Sequence, residues 1–280
     1  MSRERLKIGV VATASAMSPE VAERVPALAA ALYGDRAPEI VFHPDATARS
    51  GHFAGDDATR ARAFLEVAND PSFDALWFAR GGYGSCRIGE AVLAGLTPAA
   101  KAKTYLGYSD AGALLAGLYR AGFPHLAHGP VAQDVLRDGG DAAIARALAW
   151  LIDRDPAALE PSLAAGQKAA AFNLTVFSQL LGTALEPDLT GHVLMLEEVS
   201  EAMYRIDRSF FHVTGNASVR RVVGIRLGRC SLIPPNDPDF GLSEDQVARF
   251  WCERAGIPWL GRADIGHDAD NKIVPFGAAA

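Results

Sequence analysis

The sequence is poor in cysteine, and its three cysteines stand far apart. Cys86, Cys230 and Cys252 form no CxxC pair, so neither a disulfide framework nor a zinc ribbon is indicated. No run reaches the roughly 18 apolar residues that a membrane-spanning helix needs. The apolar stretch at 8–12 is too short for the core of a signal peptide. These absences predict a cytoplasmic protein with no membrane partner.

Basic residues are not in excess either. Lys and Arg number 27 against 33 Asp and Glu, which gives a formal net charge of -6. Such a chain has no electrostatic reason to bind nucleic acid or an anionic membrane. With 49% hydrophobic and 21% charged residues the composition is that of a globular protein. The expected partner is a small molecule or a second copy of the chain.

What the first half does have is a regular alternation of short apolar runs and helix-like stretches. This pattern is typical of βα units on a mostly parallel sheet, here a doubly wound one. The predicted strands are 7–12, 39–43, 75–79 and 103–107, and the predicted helices are 19–33, 57–69, 111–121 and 142–153. We therefore predict an α/β domain over residues 1–153.

The rest of the chain lacks this alternation. Residues 154–167 are rich in Pro, Ala and charge and have no period, which predicts a linker. Residues 168–280 are predicted to form a smaller C-terminal domain of α+β or barrel-like type. Its predicted strands are 191–196 and 222–227, and its predicted helices are 203–214 and 243–255.

One serine stands where a predicted strand runs into a predicted helix. Residues 107–111 read GYSDA, close to the G-x-S-x-G of a nucleophile elbow, in which a sharp turn exposes the serine hydroxyl. The alternative is that Ser109 or Asp110 only caps the helix, since both residue types are favoured there. The motif alone leaves both interpretations open.

A glycine-rich loop, RGGYG at 80–84, follows another predicted strand. Its glycines allow the backbone to approach a ligand and to turn N–H groups toward an anion. It matches no phosphate-cofactor motif, and a merely flexible loop is the alternative. Arg80 at its head favours a carboxylate ligand.

A serine nucleophile needs a base, and a base needs an orienting acid. Among seven histidines, His128 in AHGPV and His267 in DIGHDADNK stand beside glycines that leave room for an imidazole to face a cleft. The HDAD sequence is a weak metal signal because no second histidine is near. No metal is expected.

Five segments together resemble the LD-carboxypeptidase family of serine peptidases, also called muramoyltetrapeptide carboxypeptidases, which is related to the microcin C immunity proteins. They are ARGGYGSCRI (79–88), LGYSDAGALL (106–115), HGPV (128–131), LMLEEVSEAMYRIDRSF (194–210) and IGHDADNKIVPFG (265–277). These segments span most of the chain in the family's order.

The resemblance implies a Ser-His-Glu triad, with Ser109 as nucleophile, His267 as base and Glu197 as orienting acid. The oxyanion donors that it implies are the backbone N–H groups of Asp110 and of one glycine of the RGGYG loop. Gly82 is our choice for this glycine, with Gly81 as the alternative. A slip of one residue would exchange Glu197 for Glu198. Adjacent residues of a strand face opposite sides, so only one of the two acids can reach the histidine.

The resemblance also implies the reaction and its setting. Expected are hydrolysis of an L,D amide bond without a cofactor, release of terminal D-alanine from murein tetrapeptides during cell-wall recycling in the cytoplasm, and a homodimer. The expected substrate-binding residues are Arg80, Gly81, Tyr83, His128 and Asn173.

One departure from the family pattern bears on the substrate. Relatives have Gly-Gly-Asn-Leu where this chain has AFNL at 171–174, so we expect an altered substrate pocket. Two alternatives remain open. The chain could be a serine amidohydrolase acting on a peptide or aminoacyl-nucleotide conjugate, or a non-catalytic ligand-binding α/β protein.

Overall fold

Two sheets organise the computed structural model, which describes residues 5–278. The strands are β1 (Lys7–Val11), β2 (Glu39–Phe42), β3 (Ala75–Phe78), β4 (Thr104–Gly107), β5 (Leu126–His128), β6 (Lys168–Asn173), β7 (Val193–Val199), β8 (Gly224–Ser231), β9 (Trp259–Arg262), β10 (Val274–Pro275) and β11 (Gly277–Ala278). The α-helices are α1 (Val21–Tyr33), α2 (Asp57–Asn69), α3 (Ser85–Gly95), α4 (Gly112–Arg120), α5 (Gly140–Asp153), α6 (Leu174–Leu180), α7 (Met203–Gly215) and α8 (Glu244–Ala255). None of the helices within 5–278 is long and apolar enough to cross a membrane.

The first sheet has six strands in the order β10-β5-β4-β3-β1-β2. Strands β1 to β5 are parallel to one another, as predicted for this half. All four residues of β3 are buried, the pattern of a strand covered on both faces. Leu76 and Phe78 enter one core with α2, α3 and α4, while Ala75 and Trp77 enter another with α1 and α5.

The second sheet has five strands in the order β11-β6-β7-β8-β9. Strands β6 to β9 are parallel and are joined through α6, α7 and α8. The α/β class of the chain is as predicted. This half is an open sheet of four parallel strands with β11 antiparallel at its edge, and its βα alternation is more regular than we expected for an α+β or barrel-like domain. The alternation is hard to see in the sequence because β6 is rich in alanine, which disfavours strands, and α6 has only seven residues.

The two halves share structure. One apolar core contains helices of both, from α2 and α4 of the first half to α6, α7 and α8 of the second. Strand β10, from the second half, pairs antiparallel with β5 at the edge of the first sheet. The carboxyl ends of β4 and β7 are thereby held close together, and the candidate site lies there.

The segment 154–167 is fastened to the second half. The Glu160 backbone N–H donates to the Ile273 carbonyl oxygen at 2.9 Å, and Glu160 Oε1 accepts from the Asp264 backbone N–H at 3.0 Å. Division of the chain into 1–153, a linker 154–167 and 168–280 stays a prediction.

The departure at Ala171 and Phe172 falls inside a strand. Both side chains are buried in β6, and the Phe172 ring packs on Phe177 and Phe276 with centroids 4.9 and 5.1 Å apart. The added bulk therefore fills the core. The structure places this bulk in a strand of the core and gives no support to the expected change in the substrate pocket.

Candidate active site

Ser109 occupies a strained turn between β4 and α4. Its φ is 60°, in the left-handed region that side chains other than glycine rarely adopt. The residue preceding α4 is Ala111, and no side chain caps that helix. Asp110 Oδ2 instead accepts from the backbone N–H of Ser85 at the start of α3, at 2.8 Å. The turn thus presents the Ser109 hydroxyl rather than capping α4.

Three side chains from distant parts of the chain form one line of hydrogen bonds. Ser109 Oγ lies 3.0 Å from His267 Nε2, and His267 Nδ1 lies 2.6 Å from Glu197 Oε2. A carboxylate can only accept, so Nδ1–H donates to Glu197, which leaves Nε2 to accept from the Ser109 hydroxyl. This is the arrangement of a nucleophile, a base and an orienting acid.

Glu197 is fully buried in β7 and depends on the histidine as its partner. Its other oxygen, Oε1, has no hydrogen-bond donor within residues 5–278. Burial opposes the charged form of His267 and would lower its pKa, but the carboxylates of Glu197, Asp134 and Glu198 outweigh burial, so the pKa is raised above its ordinary value. The imidazole is therefore well suited to receive a proton from Ser109.

Glu198 points to the opposite side and is engaged elsewhere. Its carboxylate accepts from Asn173 Nδ2 at 2.7 Å and from the Thr175 N–H and hydroxyl at 2.9 and 2.7 Å. Burial raises the pKa of Glu198, although these hydrogen bonds oppose the rise. The structure thus brings Glu197, and not its neighbour, to the histidine.

Asn173 is a structural residue of the second sheet. It is buried; its Nδ2 donates to Glu198, and its Oδ1 accepts from the Val176 N–H at the start of α6, at 3.0 Å. Both polar atoms of its side chain have protein partners and hold β6 and α6. A substrate contact of Asn173 stays a prediction.

His128 does not reach Ser109. It is only 1% exposed, and its Nε2 lies 3.2 Å from Asn271 Oδ1. Burial lowers the pKa of His128 to about 4, so the ring is neutral near pH 7. The glycine next to His128 predicted an imidazole that faces a cleft. In the structure His128 lies in β5 beside β10, and its side chain is buried. A substrate contact of His128 stays a prediction.

The glycine-rich loop lies against the serine. A Cβ placed on Gly81 would lie 2.9 Å from Ser109 Oγ, and a Cβ on Gly82 would lie 2.2 Å from Ser15 Oγ. Gly82 has a φ of 115°, which favours glycine strongly. The Gly81 carbonyl oxygen accepts from the Ser15 N–H at 3.3 Å. In a trans peptide the next N–H, that of Gly82, points away from Ser15 and has no protein acceptor within 5–278.

Arg80 and Tyr83 of the same loop lie at the surface. Arg80 is exposed, and its Nη1 donates to the Ala16 carbonyl oxygen at 2.9 Å. Tyr83 is half exposed and approaches the rings of His52 and Phe53. Both are open to a ligand beside the Ser109 turn.

Sequence reasoning missed a second polar group around the turn. Tyr108 Oη donates to Asp134 Oδ1 at 3.2 Å, and Arg137 Nη2 pairs with the same oxygen at 2.8 Å. The sequence signal for this group was weak, because it consists of an Asp and an Arg three residues apart in a stretch with no predicted helix or strand.

The HDAD sequence is used for internal ion pairs. Arg229 binds Asp268 and Asp264, which holds the loop that carries His267. Over residues 5–278 no group of three or more His, Cys, Asp or Glu side chains is placed to hold a metal ion.

Comparison with known proteins gives two family matches. The model of the LD-carboxypeptidase N-terminal domain matches residues 8–129, and that of the LD-carboxypeptidase C-terminal domain matches residues 169–280. The first match contains Ser109 and the glycine-rich loop, and the second contains Glu197 and His267.

Individual relatives can be aligned with this chain along most of their length. The chain is 34% identical over 250 residues to a protein of Synechocystis sp. that carries the name carboxypeptidase, covering 86% of this chain and 80% of the relative. It is 26% identical over 298 residues to murein tetrapeptide carboxypeptidase of Pseudomonas aeruginosa, covering 98% and 92%. The solved structure of the microcin C7 self-immunity protein MccF with aspartyl sulfamoyl adenosine has the same fold, with a TM-score of 0.79 and 19% identity over 98% of this chain and 92% of MccF.

Proposed function

Because the chain belongs to the LD-carboxypeptidase family, we propose that it is a serine carboxypeptidase that releases terminal D-alanine from murein tetrapeptides. The observation that carries the proposal is the hydrogen-bonded line from Ser109 through His267 to Glu197, built on a strained turn. The Pseudomonas relative is named for the murein tetrapeptide.

Acylation starts at the Ser109 hydroxyl. His267 Nε2 takes the hydroxyl proton as Oγ forms a bond to the scissile carbonyl carbon, and the carbonyl π electrons move onto oxygen. The N–H groups of Asp110 and Gly82 donate to this oxyanion, where fixed donors contribute most to catalysis. The Gly82 N–H is suited to this because it points away from Ser15 and has no acceptor within 5–278.

Collapse of the tetrahedral intermediate breaks the amide bond. The amine of D-alanine leaves with the proton that His267 Nε2 had taken, and the acyl group stays on Ser109. A water molecule then gives a proton to His267 and attacks the acyl-enzyme, and the Ser109 oxygen leaves with that proton. Glu197 holds the Nδ1–H tautomer throughout and stabilises the imidazolium.

The substrate's terminal carboxylate needs a positive partner near the leaving D-alanine. Arg80 is our candidate, because it is exposed and directly precedes Gly81, which packs against Ser109. Arginine binds carboxylates through paired hydrogen bonds. We further infer, from the family resemblance, a homodimer that acts in the cytoplasm.

Mass spectrometry of the purified protein incubated with murein tetrapeptide tests the proposal. We expect loss of D-alanine with wild type and none with Ser109→Ala. A parallel incubation uses an aminoacyl-nucleotide amide conjugate. Cleavage of the conjugate alone would replace the proposed substrate, and no cleavage of either would favour a ligand-binding protein.

A further inference from the structure

Arg137 joins the two halves of the candidate site. Its Nη1 donates to the backbone carbonyl oxygen of His267, and its Nη2 donates to Tyr108 Oη at 3.1 Å and pairs with Asp134 Oδ1 at 2.8 Å. Tyr108 directly precedes the nucleophile, whereas His267 comes from the second half. One guanidinium thus touches the residue that carries the base and the residue next to Ser109.

We propose that Arg137 is a positioning residue that fixes His267 against the Ser109 turn. This inference rests on the proposed function. His267 lies in the loop between β9 and β10, where no helix or strand sets its orientation. Besides the contact of Nε2 with Ser109, its ring has two constraints, the Nδ1–H bond to Glu197 and the Tyr108 ring at a centroid distance of 4.8 Å. Arg137 adds a third by holding its backbone.

Arg137 is partly exposed, but two of the groups that it contacts are buried. Asp134 and Tyr108 are 3% and 2% exposed, and burial raises the pKa of Asp134 while the Arg137 charge opposes that rise. Charge-assisted hydrogen bonds of this kind are stronger than neutral ones. The planar fork of arginine reaches several acceptors at fixed angles, which a lysine ammonium cannot reproduce.

Two other arginines hold the same loop but not the same atoms. Arg229 binds the Asp268 side chain, and Arg146 Nη1 donates to the Ala269 and Asn271 carbonyl oxygens. Of these three, Arg137 alone contacts both His267 and Tyr108. Loss of Arg137 should therefore make the distance between His267 and Ser109 more variable, while the loop that carries His267 stays attached.

The test compares Arg137→Ala and Arg137→Lys with a matched control, Arg120→Ala. Arg120 also belongs to the first half and donates to a backbone carbonyl of the second, Glu186, at 2.7 Å, but it is not in the site. We expect kcat to fall about 10- to 100-fold in Arg137→Ala with KM little changed, because small misplacements of reacting groups cost this much. Arg137→Lys should be intermediate, and Arg120→Ala should match wild type.

Two measurements separate positioning from general damage. Millimolar guanidinium should restore part of the kcat of Arg137→Ala and none of that of Ser109→Ala. The downfield proton resonance of His267 Nδ1–H, recorded without substrate, should broaden or shift in both Arg137 variants and stay in place in Arg120→Ala.

The outcomes also distinguish this inference from the proposed function. If wild type releases no D-alanine, the function fails, and the His267 resonance alone decides the role of Arg137. If Arg137→Ala does not fold, Arg137→Lys, which keeps the charge beside Asp134, carries the test. Wild-type kcat together with an unchanged His267 resonance in the folded variant overturns the inference.

Discussion

At the scale of single residues, the backbone strain of Ser109 and the proposed role of its hydroxyl can be tested separately. Ser109→Ala keeps the left-handed φ of 60° but loses Oγ, so we expect kcat to fall about 10⁴-fold or more, as when other triad nucleophiles are removed. Ser109→Gly should be equally inactive yet more stable than Ser109→Ala by about 1 kcal/mol, because glycine adopts this φ without strain.

D-alanine release and thermal melting measure the two effects. A Ser109→Ala protein that keeps more than about a tenth of wild-type activity would remove Ser109 from the mechanism. A glycine variant that melts below the alanine variant would show that the turn is not strained.

The adjacent acids of β7 should separate activity from stability. Glu197→Gln should lower kcat by about 10³- to 10⁴-fold, because the amide cannot stabilise the imidazolium. Glu198→Gln should keep most of the activity but lose about 1–3 kcal/mol of unfolding free energy, since an NH₂ group would face the Thr175 donors. Kinetics and urea unfolding on the same pair provide the comparison, and equal kinetic losses would contradict it.

The raised pKa of His267 sets the pH dependence. The base must be neutral, so kcat/KM should fall as the pH drops through a value above the ordinary histidine pKa. Glu197→Gln removes an attraction that favours the charged ring, so the acidic limb of the kcat/KM profile should move to lower pH. The His267–Glu197 pair contributes stability below the unfolded-state pKa and loses it as the pH rises through the folded-state pKa.

A pH profile of kcat/KM for wild type and Glu197→Gln measures the shift, if residual activity of the variant suffices. NMR titration of the His267 ring gives the same quantity without turnover. A limb that stays in place, or moves upward, would show that Glu197 does not set the charge of the base.

At the scale of elements, the sequence predicted the helices and strands whose hydrophobic pattern is long or has clear ends. The predicted helices and strands of the first half end within two residues of those observed. Helix α3 and strand β5 were not predicted, because α3 directly follows the glycine-rich loop and β5 has only three residues.

The candidate site was predictable only where it is local. The turn at Ser109 could be inferred from the strand, the small residues and the helix that follows. His267 lies 158 residues away, and no spacing rule joins such positions, so Glu197 and His267 came from the family resemblance. The burial of His128 and Asn173 depends on β10 and α6, which the sequence did not reveal.

At the scale of the whole molecule, Phe276 connects the two halves. It lies between β10 and β11, is buried, and packs against Tyr119 of α4 and Phe172 of β6. Phe276→Ala should lower the unfolding free energy by about 3–5 kcal/mol. The control is Phe250→Ala, whose side chain is 50% exposed and should change stability far less.

Urea unfolding of both variants measures the difference, with D-alanine release as a second readout. Because the halves carry different members of the candidate triad, Phe276→Ala should also lose activity at temperatures below its melting transition. Equal stabilities of the two variants would mean that this contact does not couple the halves.

Strand β10 completes the sheet that carries Ser109, yet in the chain it follows four of the five strands of the second sheet. During synthesis from the amino terminus, the first five strands of that sheet and the serine therefore leave the ribosome long before the sixth strand and His267. In the proposed mechanism the hydroxyl has no base until then, and the core that both halves share still lacks Phe276. We therefore expect an unfinished copy of this chain, left by interrupted translation, to be an inert polypeptide and not an unregulated peptidase.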